Sequence, residues 1–305
     1  MALFITFANI YIYIVIMPLE HAYIEVNGVK LHYVKEGSGQ ELVVLLHGWP
    51  EFWYTWRNQL PVLAEKYTAI APDLRGFNES DKPEGVSNYH ANIVATDIVE
   101  LVYALGYKKA HIVGHDWGGA IAYNIAIQYP EVVDKLVIMN APHPAIFMKH
   151  LTSNPRQLMR SYYMFLFQIP WLPEKIIGRD LKTFFSKAFR GWCYNKEAFS
   201  DEDIQRFVEA YSIPGALEAS INYYRAGIRF GTKEAKKGTL KRKIESKTLI
   251  IWGENDKALG KELTYNMEKY FASTYEVVYI PECSHWVQND RPEIVNKYLM
   301  EFLTN

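Results

Sequence analysis

Residues 110–128 read AHIVGHDWGGAIAYNIAIQ, and the order of residue types in that stretch decides the fold. The short apolar run ending at Val113 has the length and composition of a buried strand, and from Ala120 onward the segment reads as a helix. Between them Gly114, Gly118 and Gly119 bracket His115, Asp116 and Trp117. A strand that turns directly into a helix holds its apical residue in a sparsely populated backbone conformation and brings backbone against backbone, which glycines permit. The stretch has the form of a nucleophile elbow, with Asp116 at the apex where Ser is usual. A carboxylate there is presented to ligand, and it faces the amino end of the following helix, whose free N–H groups favour the charged form. Taken alone, the motif also allows a plainer role for Asp116 as the N-cap of that helix.

Working outward, short apolar runs recur at 42–46 (LVVLL), 68–72 (TAIAP), 135–139 (KLVIM), 248–252 (TLIIW) and 275–280 (YEVVYI). Helix-length stretches at 89–105 and 119–129 separate the earlier runs, and an amphipathic helix is expected over 292–303. Upstream, AYIEV and KLHYV alternate around Asn27-Gly28, the signature of a tight hairpin. Strands alternating with helices predict an α/β class with a mostly parallel sheet and helices on both faces. Residues 141–231 differ: they carry few strand-like runs, many aromatics, and helical spacing broken by Pro170, Pro173 and Pro214. This predicts a helical cap inserted between a first core part (17–140) and a second (232–305). The basic stretch 233–247, with seven Lys/Arg against two Glu, is expected to be a solvated linker.

The 305 residues carry 33 Lys+Arg against 34 Asp+Glu and are 49% hydrophobic, which speaks for a globular chain and against disorder or a basic nucleic-acid surface. Residues 1–16 form an uncharged apolar extension, too short for a span of about 20 residues and without the basic start and cleavage site of a secretory signal. Met17 is an alternative start, and membrane association is expected only through residues 1–16. Cys193 and Cys283 are too few for a disulfide framework and fit a reducing, cytoplasmic setting. No nucleotide loop, metal-ligand spacing or internal repeat is visible, so no cofactor and no metal are expected. A monomer and a homodimer are both compatible with the sequence.

Two further residues complete a constellation with Asp116. Asp256 follows the strand-like TLIIW and His285 follows VVYI, so nucleophile, acid and His occur in the chain order this fold uses, each just past the carboxyl end of a strand. Upstream, His47-Gly48-Trp49-Pro50 directly follows LVVLL and turns the chain toward Asp116. The Trp49 and Trp117 amides are candidates for an oxyanion hole, and a cis bond before Pro50 would suit so sharp a turn. His47 reads equally well as part of that turn alone. Asp73 and Arg75 are expected to pair with each other and hold a loop.

The motifs HGWP (47–50), PDLRG (72–76), GHDWGG (114–119), the Asp256 loop and CSHW (283–286) resemble the α/β-hydrolase superfamily, specifically epoxide hydrolases of the soluble type. The one departure noted is Asn78, where that pattern leads one to expect Gly. The resemblance implies a small apolar epoxide and water as substrates, opened through an ester on Asp116 that water, activated by His285 with Asp256, then hydrolyses. Chemistry agrees: Asp, with a reference pKa of about 3.9, is an anion without assistance, and an epoxide oxygen, unlike a halide, needs a proton as it leaves. By the same resemblance, tyrosines of the cap donate that proton, one ahead of a Phe-Gln-x-Pro run and one ahead of an Arg. Tyr163 and Tyr224 match those positions, with Tyr162 and Tyr223 as rivals.

A dehalogenase would share the Asp–His–Asp chemistry, but such enzymes resemble HGNP where this chain has Trp49, or show an Arg where it has Trp117. A non-catalytic binding protein would have no use for the complete triad. An esterase would gain nothing from Asp in place of Ser. Phe165, Phe167, Trp171, Phe184, Phe185, Phe189 and Trp192 are expected to make the pocket between cap and core apolar.

Overall fold

Strand β1 (Glu20–Val26) pairs antiparallel with β2 (Val29–Glu36) across Asn27 and Gly28, whose φ of 47° and 72° are the left-handed pair a two-residue hairpin turn requires. This is a computed structural model, and it describes residues 19–237 and 242–305, the side chains of 232–237 excepted. The expectations for residues 1–16 therefore lie outside the described residues. Six further strands follow: β3 (Leu42–Leu46), β4 (Thr68–Pro72), β5 (Ala110–His115), β6 (Val133–Met139), β7 (Lys247–Gly253) and β8 (Tyr275–Ile280). They form one eight-stranded sheet in the order β1-β2-β4-β3-β5-β6-β7-β8, parallel from β4 to β8. Every residue of β3, β4 and β5 is buried, as happens only when both faces of a sheet are covered.

The core helices are α1 (Leu60–Ala64), α2 (Ala91–Ala104) and α3 (Trp117–Gln128). Between β6 and β7 every described element of more than one residue is a helix: α4 (Pro144–Ser153), α5 (Pro155–Arg160), α6 (Tyr162–Leu166), α7 (Leu172–Gly178), α8 (Leu181–Ala188), α9 (Asp201–Ser212) and α10 (Ala216–Lys237). Pro173 sits in the first turn of α7, where a missing N–H costs nothing, and Pro214 falls between α9 and α10. The chain closes with α11 (Val287–Asp290) and α12 (Pro292–Thr304), which buries Val295, Leu299 and Leu303 at four-residue spacing.

Two expectations are corrected here. The stretch 233–247 is not simply a linker, since α10 continues through Gly231 to Lys237 and Ile244 makes a bridge with Phe271. Lys, Glu and Ala are good helix formers, so the basic composition extends the helix rather than ending it. Asp73 and Arg75 do not pair with each other. Asp73 lies 2.6 Å from His32 and accepts the Trp53 amide at 2.9 Å, while Arg75 forks onto Asp97 at 2.6 and 2.5 Å. The two side chains fasten different loops. Asn78 takes φ 40° and donates to Asp73 at 2.7 Å, so it adopts the left-handed conformation for which Gly was expected.

The chain leaves β3 for β4 on one side of the sheet and reaches β5 on the other, so β3 and β5 flank a topological switch point. Open α/β sheets bind ligands outside the carboxyl ends of strands at such points. The HGWP turn and Asp116 emerge there, side by side. At the opposite end of the sheet, tertiary pairing gathers Glu41, His111 and Asp134, with His111 3.3 Å from Asp134. The sequence spacing gave no hint of that group. Its two carboxylates are exposed, burial lowers the pKa of His111, and the group is remote from Asp116. Cys193 and Cys283 are both free and buried. Among the described residues no helix is long and apolar enough to cross a membrane.

Candidate active site

Asp116 stands between the last residue of β5 and the first of α3 with φ 50° and ψ −117°, a conformation non-glycine residues rarely adopt. Packing holds it there. A Cβ on Gly118 would lie 2.1 Å from the Leu46 carbonyl, and one on Gly48 would lie 2.5 Å from the Asp116 Cβ. The elbow can approach β3 and the HGWP turn only because both positions lack side chains. The carboxylate makes no capping bond to α3, so the plainer N-cap role is not what the structure shows. Instead Oδ1 accepts the Trp49 amide at 2.9 Å. Trp49-Pro50 is cis.

His285 brings Nε2 to 3.5 Å from Asp116 Oδ2 and Nδ1 to 2.7 Å from Asp256 Oδ2. Asp256 is fixed from every side: its Oδ1 accepts the amides of Ala258 at 2.7 Å and Leu259 at 2.8 Å, and its Oδ2 also accepts Asn140 Nδ2 at 2.7 Å. The residues that sequence reasoning placed at three strand ends thus converge in one line. Burial by itself would raise both carboxyls, but His285 and the donors around them hold both below the usual range. Burial would lower His285, yet Asp256 and Asp116 outweigh it and push the imidazole up to about 10. Both carboxylates thus favour the imidazolium form of His285.

Beneath this line lies a buried polar scaffold. His115 Nδ1 is 2.7 Å from Glu51 Oε2, and its Nε2 is 2.8 Å from the His285 carbonyl. Glu51 also accepts the Gly48 amide at 3.0 Å and Gln288 at 2.9 Å. One carboxylate therefore ties together the HGWP turn, the elbow and the His285 loop. His47 accepts the Leu74 amide at 3.0 Å and contacts the Gly48 carbonyl at 2.9 Å, so it holds the turn to the next strand-end loop. Sequence reasoning missed Glu51 and Asn140. Each follows a motif or a strand end directly, the only signal available, and each acts through contacts more than 60 residues away in sequence.

The roof comes from the cap. Tyr163 and Tyr224 face each other with ring centroids 5.6 Å apart, and the Tyr224 ring stands edge-on to Trp117 at 5.2 Å and to Trp49 at 5.5 Å. Burial, then the negative charge of Asp116, raises Tyr163; burial, Tyr163 and Asp116 raise Tyr224. The rivals are placed differently: Tyr162 is 68% exposed, and Tyr223 donates its hydroxyl to the Arg75 carbonyl at 2.9 Å. Arg225 explains why the two sequence patterns belong together. It donates to the Phe167 carbonyl at 2.9 Å and the Ile169 carbonyl at 3.1 Å and pairs with Glu174 at 2.6 Å, clamping the segment after α6 onto α10.

Asp116, Trp117, Tyr163 and Tyr224 line one cavity of about 310 Å³, walled mostly by apolar side chains including Phe147, Met148 and Ile228. The expected aromatic lining needs revision. Phe165 lines the cavity and Phe167 packs on Trp49 at 5.0 Å, but Phe185 is wholly buried among cap aromatics, Phe189 is wholly buried against Trp286 of the core at 4.8 Å, and Trp171 is 67% exposed. An aromatic residue in a helical insertion packs against its own neighbours as readily as against a ligand.

Comparison with known proteins agrees with this geometry. A family model described as the alpha/beta hydrolase fold matches residues 41–292. The human protein epoxide hydrolase 4 is 39% identical over 290 residues, covering 93% of this chain and 78% of that protein. The soluble epoxide hydrolase of Corynebacterium sp. (strain C12) is 35% identical over 289 residues, covering 93% of this chain and 97% of that protein. Among solved structures, the Bacillus megaterium epoxide hydrolase in complex with an inhibitor is 32% identical with a TM-score of 0.81, covering 93% of this chain and 100% of that one. With Asp at the elbow, its partners in line and relatives of this kind over nearly its whole length, the chain belongs to the epoxide hydrolases of the α/β-hydrolase fold.

Proposed function

We propose that this protein hydrolyses apolar epoxides to vicinal diols through a covalent ester on Asp116. The observation that carries the reading is that Asp116 and the two cap tyrosines Tyr163 and Tyr224 line one and the same cavity. In the first step an Asp116 oxygen attacks an epoxide carbon, the C–O bond of the ring breaks, and Tyr163 with Tyr224 protonates the departing oxygen. Esterification removes the negative charge beside His285. The imidazolium then loses its reason to hold a second proton, and that proton restores the tyrosines. Neutral His285, oriented by Asp256, takes a proton from water whose oxygen attacks the ester carbonyl. The resulting oxyanion is stabilised by the Trp49 amide, which already points at the Asp116 carboxylate, and by the Trp117 amide. Collapse expels the diol oxygen, which leaves with the proton of the new acid, and Asp116 and the imidazolium return. The sum is epoxide plus water to diol.

Halide release is the competing use of the same triad. It calls for indole N–H groups free to bind the anion, but the Trp49 indole donates to Ser220 Oγ at 3.2 Å. The test is whole-protein mass spectrometry of His285→Gln after mixing with styrene oxide and, separately, with a bromoalkane. A persistent adduct with the mass of the intact epoxide, and none from the bromoalkane, is the expected result. An alkyl adduct from the bromoalkane alone would make the protein a dehalogenase, and no adduct from either would leave a binding protein.

A further inference from the structure

The wall of the cavity farthest from Asp116 along α3 is built from amides. Asn124 and Gln128 lie one turn apart near the end of α3, a helix whose remaining side chains are almost all apolar, and Asn92 faces them from the first turn of α2. All three line the cavity. Asn92 Oδ1 accepts Asn124 Nδ2 at 2.9 Å and Gln128 Nε2 at 3.0 Å, and Gln128 Nε2 also reaches Asn124 Oδ1. Among the described residues no hydrogen bond reaches Asn92 Nδ2 or Gln128 Oε1. One donor group and one acceptor are therefore left over at the end of a mostly apolar channel.

We infer that Asn92, Asn124 and Gln128 form a tail-binding subsite, and that the preferred substrates carry an uncharged hydrogen-bonding group, of the amide kind, at the end of an apolar chain that begins at the epoxide. This rests on the epoxide hydrolase reading above. Three features select the tail chemistry. An amide both accepts and donates, matching the two unused groups. Among the described lining residues there is no Lys or Arg, so the described wall offers a carboxylate tail no guanidinium or ammonium to pair with. An all-apolar tail would leave that donor and that acceptor unused, which a polar subsite penalises. Length follows from the helix: at a rise of about 1.5 Å per residue, Asn124 lies about 12 Å and Gln128 about 18 Å beyond Asp116, so the matching tail is roughly ten bonds long.

The experiment measures kcat/KM of the wild type on terminal epoxides of graded chain length ending in methyl, primary amide or carboxylate, and repeats the series on Gln128→Leu and Asn92→Leu. At the matching length the amide tail should be preferred to methyl by about tenfold, shorter amides should lose the preference, and the carboxylate should not exceed methyl. In the variants the amide-to-methyl ratio should collapse toward one. Equal turnover of amide and methyl tails at every length would overturn the subsite while leaving the epoxide reading intact. Should no epoxide be turned over, the proposed function fails instead. Binding of the matched diols, read from the fluorescence of Trp117 in the cavity wall, then decides the subsite by itself: an amide-tailed diol that binds no tighter than its methyl-tailed counterpart overturns it.

Discussion

The two halves of the site are made in different ways. The core half is a closed polar network in which Asp256 receives a hydrogen bond on every side and Glu51 joins three loops through buried contacts of 2.7 to 3.0 Å. The cap half surrounds the site mainly with edge-on rings 5.0 to 5.7 Å apart, with the Trp49–Ser220 and Tyr223–Arg75 hydrogen bonds and one ion-paired arginine behind them. Hydrogen bonds fix direction to within a few tenths of an ångström, whereas ring packing fills volume and tolerates adjustment. The division suits the proposed chemistry, in which in-line attack and proton abstraction need fixed angles.

That contrast can be broken at either half. Asp116→Asn removes the anion and should lower turnover at least about 10⁴-fold, measured as steady-state diol formation; retained activity would mean that the nucleophile lies elsewhere. Glu51→Ala leaves His115 and the Gly48 amide unpaired in the interior and should cost about 3–5 kcal/mol of stability in chemical denaturation. A loss below about 1 kcal/mol would show that the core half is not rigidified as described. The cap half should respond in rate rather than stability. Tyr163→Phe and Tyr224→Phe together should slow ester formation by about 10²–10⁴-fold, more than either alone, because each hydroxyl can serve when the other is missing. A double variant that forms ester at the wild-type rate would take proton donation away from the cap.

The last expectation concerns the pH dependence of stability. His285 is raised in the folded protein from 6.5 to about 10, so its pairing contributes fully below about pH 6.5 and is lost as the pH rises through about 10. The melting temperature of the wild type should therefore fall more steeply than that of His285→Gln across that interval. Parallel curves would show that the imidazole gains no proton affinity on folding.

Much of this was legible in the residues. β3 and β4 begin and end where their apolar runs do, because a fully buried strand leaves no polar residue to blur its limits. The elbow was legible because one of its glycines answers a local steric demand: a Cβ on Gly114 would lie 2.4 Å from the Gly118 carbonyl. Asp116, Asp256 and His285 were found through their positions after strands, a property of the chain order. Tyr163 and Tyr224 were singled out through the family resemblance, and Arg225 joins the two segments that carry them.

What remained hidden depends on which loops meet. Nothing near Glu51 announces that it will sit under His115, and nothing near Asn140 points to Asp256 116 positions later. The partners of Asp73 and Arg75 were misjudged for the same reason, since proximity in sequence suggested a pair that the folded loops separate. The sequence determined the order of strands and helices and the residues carrying charge at their ends, because periodicity and turn sterics act over a few residues. Only the tertiary structure decided which aromatics face the cavity, which polar groups lock the triad, and that three amides from two helices close its far wall. Those outcomes are set by packing between segments remote in sequence, and no local pattern encodes them.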